Sequence, residues 1–356
     1  MQKYVKFLLL LIIAVLILWF FGRNLNWAEV TSSVRAADPV YLIIAVLIIC
    51  VGYVLRAMRW KVLLKPLTET SLRELFATTT VGFAAMFVVG RAGEIVRPMW
   101  LPMRDRRVRP SAALVTIGVE RVFDLASLIC FFSASLIWFN APPGREAEFA
   151  KVKLVGNIML AGALLGLLAL VIYQRNSARI IDWFARVTDR RAVPRRLRRI
   201  FLRLLSQFAA SLKILQSATE IFWVGVWTVA LWLAIALPTW LVLLAFGLPL
   251  TFVDSIFVMG VASMGSLVPT PGGAAGAFHA ATAGSLILLG VRNEDAAAVS
   301  ILMHLVYFAP AIVFGLYYFA HGDISIERFR SLLSSENAVD EIESDAPHGP
   351  KKITAK

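Results

Sequence analysis

The sequence predicts an all-α, polytopic membrane helix bundle. Three observations lead there. Hydrophobic residues fill 59% of the 356 positions, against roughly 45–50% in soluble domains. They gather in runs close to the ~20 residues that a helix needs to cross a bilayer, and none of the runs alternates apolar with polar as barrel strands do. Between the runs lie clusters of Lys and Arg, within a formal net charge of +13.

Phe7–Phe21, Val40–Leu55, Leu125–Phe139, Val152–Tyr173, Ile221–Phe246 and Ala296–Tyr318 read as six full spans. The first is short, but Tyr4 and Val5 extend it and Lys6 can snorkel. It resembles a signal peptide. Yet Gly22-Arg23-Asn24 follows directly, without small residues at cleavage spacing, so it is read as an uncleaved span. Cys50 and Cys130 both sit in apolar runs. They form no disulfide framework and no zinc spacing, and serve as small apolar fillers.

Charge placement sets the threading. Lys3 and Lys6, Arg56 to Lys65, Arg104 to Arg109, the eleven basic residues between Gln174 and Lys213, and Lys351 to Lys356 form one set. The intervening loops Arg23–Asp38, Asn140–Lys153, Gly247–Asp254 and Gly290–Asp295 carry only six Lys or Arg. Basic flanks stay in the cytoplasm, so both termini are expected inside a bacterial-type cytoplasmic (inner) membrane.

This threading constrains two further segments. Leu72–Met103 lies between two basic clusters, so it is expected to enter and leave on the cytoplasmic side as a pair of half-helices. Phe252–Val268 and Ala274–Leu289 are split by Pro269-Thr270-Pro271-Gly272-Gly273 and would dip from outside. Two broken pairs entering from opposite faces suggest an inverted repeat, about eight hydrophobic segments in all. The alternative is that each pair crosses fully with a tight turn. Residues 1–320 thus read as one transmembrane domain, and the polar tail 321–356 as disordered. The loop 174–216 pairs a basic face with Ile180, Trp183, Phe184, Phe201 and Leu205, which suits anionic headgroups rather than nucleic acid.

Three constellations carry charge or broken backbone at membrane depth. Such groups are costly there and mark candidate sites. In Arg91-Ala92-Gly93-Glu94-Ile95-Val96-Arg97-Pro98, the three charges fall on one helical face and leave a net positive charge suited to a phosphate. The competing reading is an ion cluster that only anchors a half-helix. In Glu120-Arg121-Val122-Phe123-Asp124, at the start of the third span, the two acids share a face. A structural network joining Arg121 to Glu94 is the alternative to a direct role. The third is Pro271-Gly272-Gly273 with His279, where a half-helix starting near Gly273 would aim amides at an anion. His304 is the one conceivable metal partner of His279, and neither a metal site nor a cofactor is assigned.

Together these motifs resemble the transmembrane domain of the lysylphosphatidylglycerol synthase (flippase-like) family. The match rests on R-x-G-E-x-x-R at Arg91–Arg97, E-R-x-x-D at Glu120–Asp124 and Pro271–Gly273, and spans roughly Met1 to Ala320. One departure is that His279 stands where the family commonly has a glutamate. The resemblance implies a protein that moves lipids between leaflets, with a membrane phospholipid or lipid-linked molecule as substrate. Candidate binding residues are Arg91, Gly93, Glu94, Arg97, Glu120, Arg121, Asp124, Pro271, Gly272, Gly273 and His279. About 36 residues follow the last span, too few for the aminoacyl-transferase domain of full-length synthases, so that enzymatic activity is expected to be absent. Two rival expectations are a polyprenyl-phosphate-dependent glycosyltransferase and a non-catalytic subunit of an envelope-lipid pathway.

Overall fold

A computed structural model describes residues 22–23, 25–138, 144–187, 217–268 and 270–322, with isolated positions at 12, 19 and between 201 and 212. The side chains of Val89, Arg91, Ala92, Ala218 and Pro271 are not among those described. The first expected span, most of the basic loop and the tail 323–356 therefore lie outside the described residues.

The described chain is helical, without a strand among those residues. In order come α1 (Trp27–Ala36), α2 (Pro39–Leu64), α3 (Leu72–Val89), a 3-10 turn (Gly90–Ile95), α4 (Val96–Arg104) and α5 (Pro110–Trp138). Then follow α6 (Glu146–Arg175), α7 (Ser177–Val187), α8 (Ala218–Ala245) and α9 (Phe252–Gly265). A turn at Pro271–Ala274 leads to α10 (Ala277–Leu288) and α11 (Asn293–Ala320). Helices α2, α6, α8 and α11 are long and apolar enough to cross a membrane. Helix α5, at 29 residues, has the length as well.

Local chemistry explains the helix starts. Asp38 caps α2 and is followed by Pro39, whose fixed φ suits a first helical position. Ser71 caps α3 through the Glu74 amide. Thr251 and Asp254 form a reciprocal capping box at α9. The third span begins earlier than expected, at Pro110 rather than Leu125, because Ser111–Val119 is itself apolar and helix-compatible. Glu120 and Asp124 therefore lie well inside a helix, not at its start. Helix α1, within an expected loop, was not anticipated; Asn26 caps it, and its Glu29 and Ser33 bond to the start of α11.

Ion pairs and hydrogen bonds between helix ends define two faces. On the basic face, Lys65 after α2 meets Glu220 of α8 at 2.5 Å, and Glu74 of α3 pairs with Arg104 of α4. On the opposite face, the Asp38 amide donates to Ala245 O at 2.8 Å, Arg292 meets Glu29 at 2.7 Å, and Arg145 donates to the Ile287 and Leu288 carbonyls at the end of α10. The α3–α4 pair thus leaves and rejoins the basic face. The α9–α10 pair leaves and rejoins the other face, and the turns of the two pairs pack together between the faces. Two broken helical pairs are thus present where the sequence places them, each returning to the face it leaves.

Small residues let these segments approach. A Cβ at Gly315 would stand 2.6 Å from Ala84 Cβ, where α11 crosses α3, and one at Gly265 would stand 2.5 Å from Ala281 Cβ, where α9 crosses α10. Close crossings on glycine are how helices pack where no hydrophobic drive separates them from lipid. The main apolar core joins α2, α5, α6, α8, α9, α10 and α11.

Candidate functional site

The ion network is built from three helices. Arg97 of α4 grips Glu120 of α5 with both terminal nitrogens, at 2.9 and 3.1 Å. Its guanidinium also lies 4.5 Å from the centre of the Trp60 ring. Trp60 is held in turn by its indole N–H donating to Thr116 Oγ1 at 3.1 Å. Gly82 makes the room, since a Cβ there would occupy the space of the Arg97 stem. From α2, Arg59 reaches Asp124 of α5 at 2.6 Å.

Exposure divides the four cations. The side chains of Arg59 and Arg97 are 0% and 1% exposed, whereas those of Arg56 and Arg121 are 13% and 33% exposed. Each buried cation has a close carboxylate. The two accessible ones are held less closely: Arg56 lies 3.7 Å from Asp124 and 3.9 Å from Glu120, and Arg121 lies 3.6 Å from Asp124 and donates from Nη2 to Glu120 Oε1 at 3.3 Å. Buried charge is tolerated when it is paired and bonded, so Glu120 with Arg97 holds the helices together while Arg56 and Arg121 keep donors to spare.

Arg56, Glu94, Arg121 and Asp124 line a cavity of about 380 Å³, together with Gly273 and Ala274 of the second turn. A neighbouring lobe of about 180 Å³ shares Arg56, Phe83, Ile235 and Phe308 and continues into the apolar wall of Ile49, Leu231 and Phe278. A charged compartment thus opens into an apolar one. Four guanidiniums face three carboxylates, Glu94 included, so the region keeps an excess positive charge.

The glycine motifs acquire separate reasons. At Gly93 a Cβ would strike the backbone of Ala85 and Met86, because the 3-10 turn lies directly on α3. Gly272 and Gly273 have φ of 74° and 66°, in the left-handed region that favours glycine, and a Cβ on Gly273 would meet the Phe308 ring at 2.8 Å. Ala274 takes the same conformation, φ 65°, without that freedom. Four left-handed residues delay α10 to Ala277, so the helix does not start near Gly273 as expected. His304 Nε2 sits 3.2 Å from Gly273 O and steadies this turn.

A family model described as the lysylphosphatidylglycerol synthase TM region matches residues 7–315. The chain belongs to that family. It is also 26% identical over 343 residues to "Glycosyltransferase AglD" of Haloferax volcanii, covering 86% of this chain and 53% of that protein. It is 23% identical over 292 residues to "UPF0104 membrane protein" of Methanothermobacter thermautotrophicus, covering 79% and 85% of the two. The chain therefore spans about half the length of the first of these relatives.

The structure sorts the site residues of this family member. Glu94, Arg121, Asp124 and Gly273 lie on the cavity wall. Glu120 and Arg97 lie behind it, engaged with each other. Glu94 and Arg97 do not share one face. The chain changes from a 3-10 turn to α4 after Ile95, and Arg97 turns toward Glu120. The Arg91 and Pro271 side chains lie outside the described residues. Gly93 acts through close packing and Gly272 through its backbone conformation. His279 is buried against His304, ring centres 4.8 Å apart, and off the cavity lining.

The sequence does not single out Arg56 and Arg59 as site residues. They follow an apolar run and look like part of its basic topogenic flank. Their spacing with Trp60 on one turn of helix was the available signal, but only the contact with α5 identifies their role.

Proposed function

We propose that the protein translocates a phosphate-bearing lipid between leaflets, with its basic face toward the cytoplasm. One observation carries this reading: the charged compartment of Arg56, Glu94, Arg121 and Asp124 runs into an apolar lobe. A lipid presents the same two parts, a charged head and a hydrocarbon chain. Arg56 and Arg121 are the cations on the cavity wall, neither gripped at both terminal nitrogens as Arg97 grips Glu120, and a guanidinium fork matches phosphate oxygens. The two re-entrant pairs, which meet in this compartment from opposite faces, are the elements whose rocking would expose it to one side or the other.

The test is reconstitution of the purified chain with fluorescent phospholipids of several headgroups, read by chemical quenching of the outer leaflet. Leaflet exchange above that of empty liposomes is expected for at least one phosphate-bearing lipid, falling about tenfold or more in Arg121→Ala. Exchange no faster than in empty liposomes, for every lipid, overturns the proposal.

The likeness to a glycosyltransferase favours a second reading, transfer of a sugar on a lipid phosphate at the same cavity. Glu94 and Asp124 would then act near the phosphate as general bases. Membrane-dependent sugar transfer abolished by Glu94→Gln would support it over translocation.

A further inference from the structure

We propose that Asp124 is a built-in counter-ion of the empty cavity, and that an entering anionic headgroup displaces it from Arg56 and Arg121 onto Arg59. The inference rests on the reading of the cavity as a phosphate site and adds how that site is held ready.

Asp124 is shared among three arginines. One of its oxygens lies 2.6 Å from Arg59 Nη2. The other lies 3.7 Å from Arg56 and 3.6 Å from Arg121. The first separation is a close ionic contact. The other two exceed hydrogen-bond length, so they neutralise charge without committing donors. The two loosely held arginines are the ones on the cavity wall. The tightly held one is fully buried behind it.

Arg59 has capacity in reserve. Its Nε, Nη1 and Nη2 make no hydrogen bond among the described residues, nor does Asp124 Oδ1. A buried guanidinium without bonded donors is costly, and a carboxylate rotated fully onto it would lower that cost. Glu120 is the more distant carboxylate, 3.7 Å from Arg59 Nη2, and both of its oxygens are engaged by Arg97. Glu94 stays on the wall as the remaining carboxylate. A phosphate oxygen arriving between Arg56 and Arg121 would therefore meet two cations whose shared partner, Asp124, has a third cation to fall back on. The exchange limits affinity by design, since a lipid carrier must release its cargo as well as bind it.

The test uses the full chain in detergent micelles and dihexanoyl phosphatidic acid as probe, read as thermal stabilisation against probe concentration. Removing the competitor should help the guest. Asp124→Asn is expected to lower the half-saturating concentration about tenfold, the order expected for one unit charge removed from beside another in a partly wet cavity. Arg59→Gln is expected to raise it by a similar factor, because Asp124 then has only Arg56 and Arg121. The double variant should bind at least as tightly as the parent. If Asp124 merely braces the fold, Asp124→Asn would weaken binding or leave it unchanged, and either result overturns the inference. Should Asp124→Asn fail to fold, Asp124→Glu serves: its longer reach to the wall should weaken binding, and tighter or equal binding overturns the inference. A parent protein that melts normally but shows no response to the probe overturns the phosphate reading itself. An equal response to inorganic phosphate at the same concentration overturns the lipid headgroup as guest, while the exchange at Asp124 is still judged by the variants.

Discussion

The two re-entrant pairs have similar outlines and opposite chemistry. The first, α3 to α4, carries Glu74, Glu94, Arg97 and Arg104 and is fixed by ion pairs to itself and to α5. The second, α9 to α10, carries Asp254 at its capping box as its acidic residue and no Lys or Arg. It is fixed by glycine contacts and by aromatic and histidine rings around Phe278. One turn is held by side-chain electrostatics and the other by backbone shape. The lesson is that two segments can meet at one cavity while only one supplies charge. The other supplies a closely fitted wall that costs little desolvation.

The largest expected effect breaks the charged half. Gly82→Leu would push Arg97 off Glu120 and leave that buried carboxylate with only its longer contacts to Arg59, Arg56 and Arg121. A loss of about 3–5 kcal/mol is expected, read from chemical denaturation in micelles, and Arg97→Ala should match it. A loss below about 1 kcal/mol would show that the pair does not hold the first hairpin.

The next effect breaks the apolar half. Gly265→Val would drive α9 from α10 at the Ala277 and Ala281 contact, with an expected cost of about 1–3 kcal/mol. A loss as large as that of Gly82→Leu would erase the contrast between a hairpin held by buried charge and one held by packing.

A smaller change sharpens the backbone argument. Ala274→Gly should stabilise the protein by up to about 1 kcal/mol, because the left-handed conformation strains an L side chain. Gly273→Ala should destabilise by more than that, since it adds the Phe308 collision to the strain. Equal and opposite shifts would mean that φ alone matters.

The smallest effect lies at the basic face, where Asp105 follows α4. It accepts from Arg107 and from Thr70, and these bonds, Arg107 first, hold its carboxyl below the usual carboxylate range. A lowered folded value stabilises the protein above the unfolded value near ~4, and this contribution is lost as pH falls through the folded value. Asp105→Asn should therefore cost under about 1 kcal/mol at neutral pH, because Arg107 is largely exposed, and the difference from the parent should vanish in acid.

Much of this was legible in the sequence, for reasons that are local. Hydropathy runs located α2, α6, α8 and α11, because crossing a bilayer demands an uninterrupted apolar stretch. Ser71 and Thr251 marked the starts of α3 and α9, because caps act within one turn. The distribution of Lys and Arg drew attention to the two broken pairs, α3–α4 and α9–α10. The Gly-Gly pair marked a backbone that could not be helical. What the tertiary structure decided was which charges meet. Arg97 lies 23 residues from Glu120, and Arg59 lies on a different helix from Asp124. Pattern alone could not show that Arg97 is spent on Glu120 while Arg56 and Arg121 face the cavity. Helix formation and membrane insertion follow from near neighbours along the chain. Partner choice among buried charges follows from how the helices pack, because desolvation makes each pairing depend on everything around it.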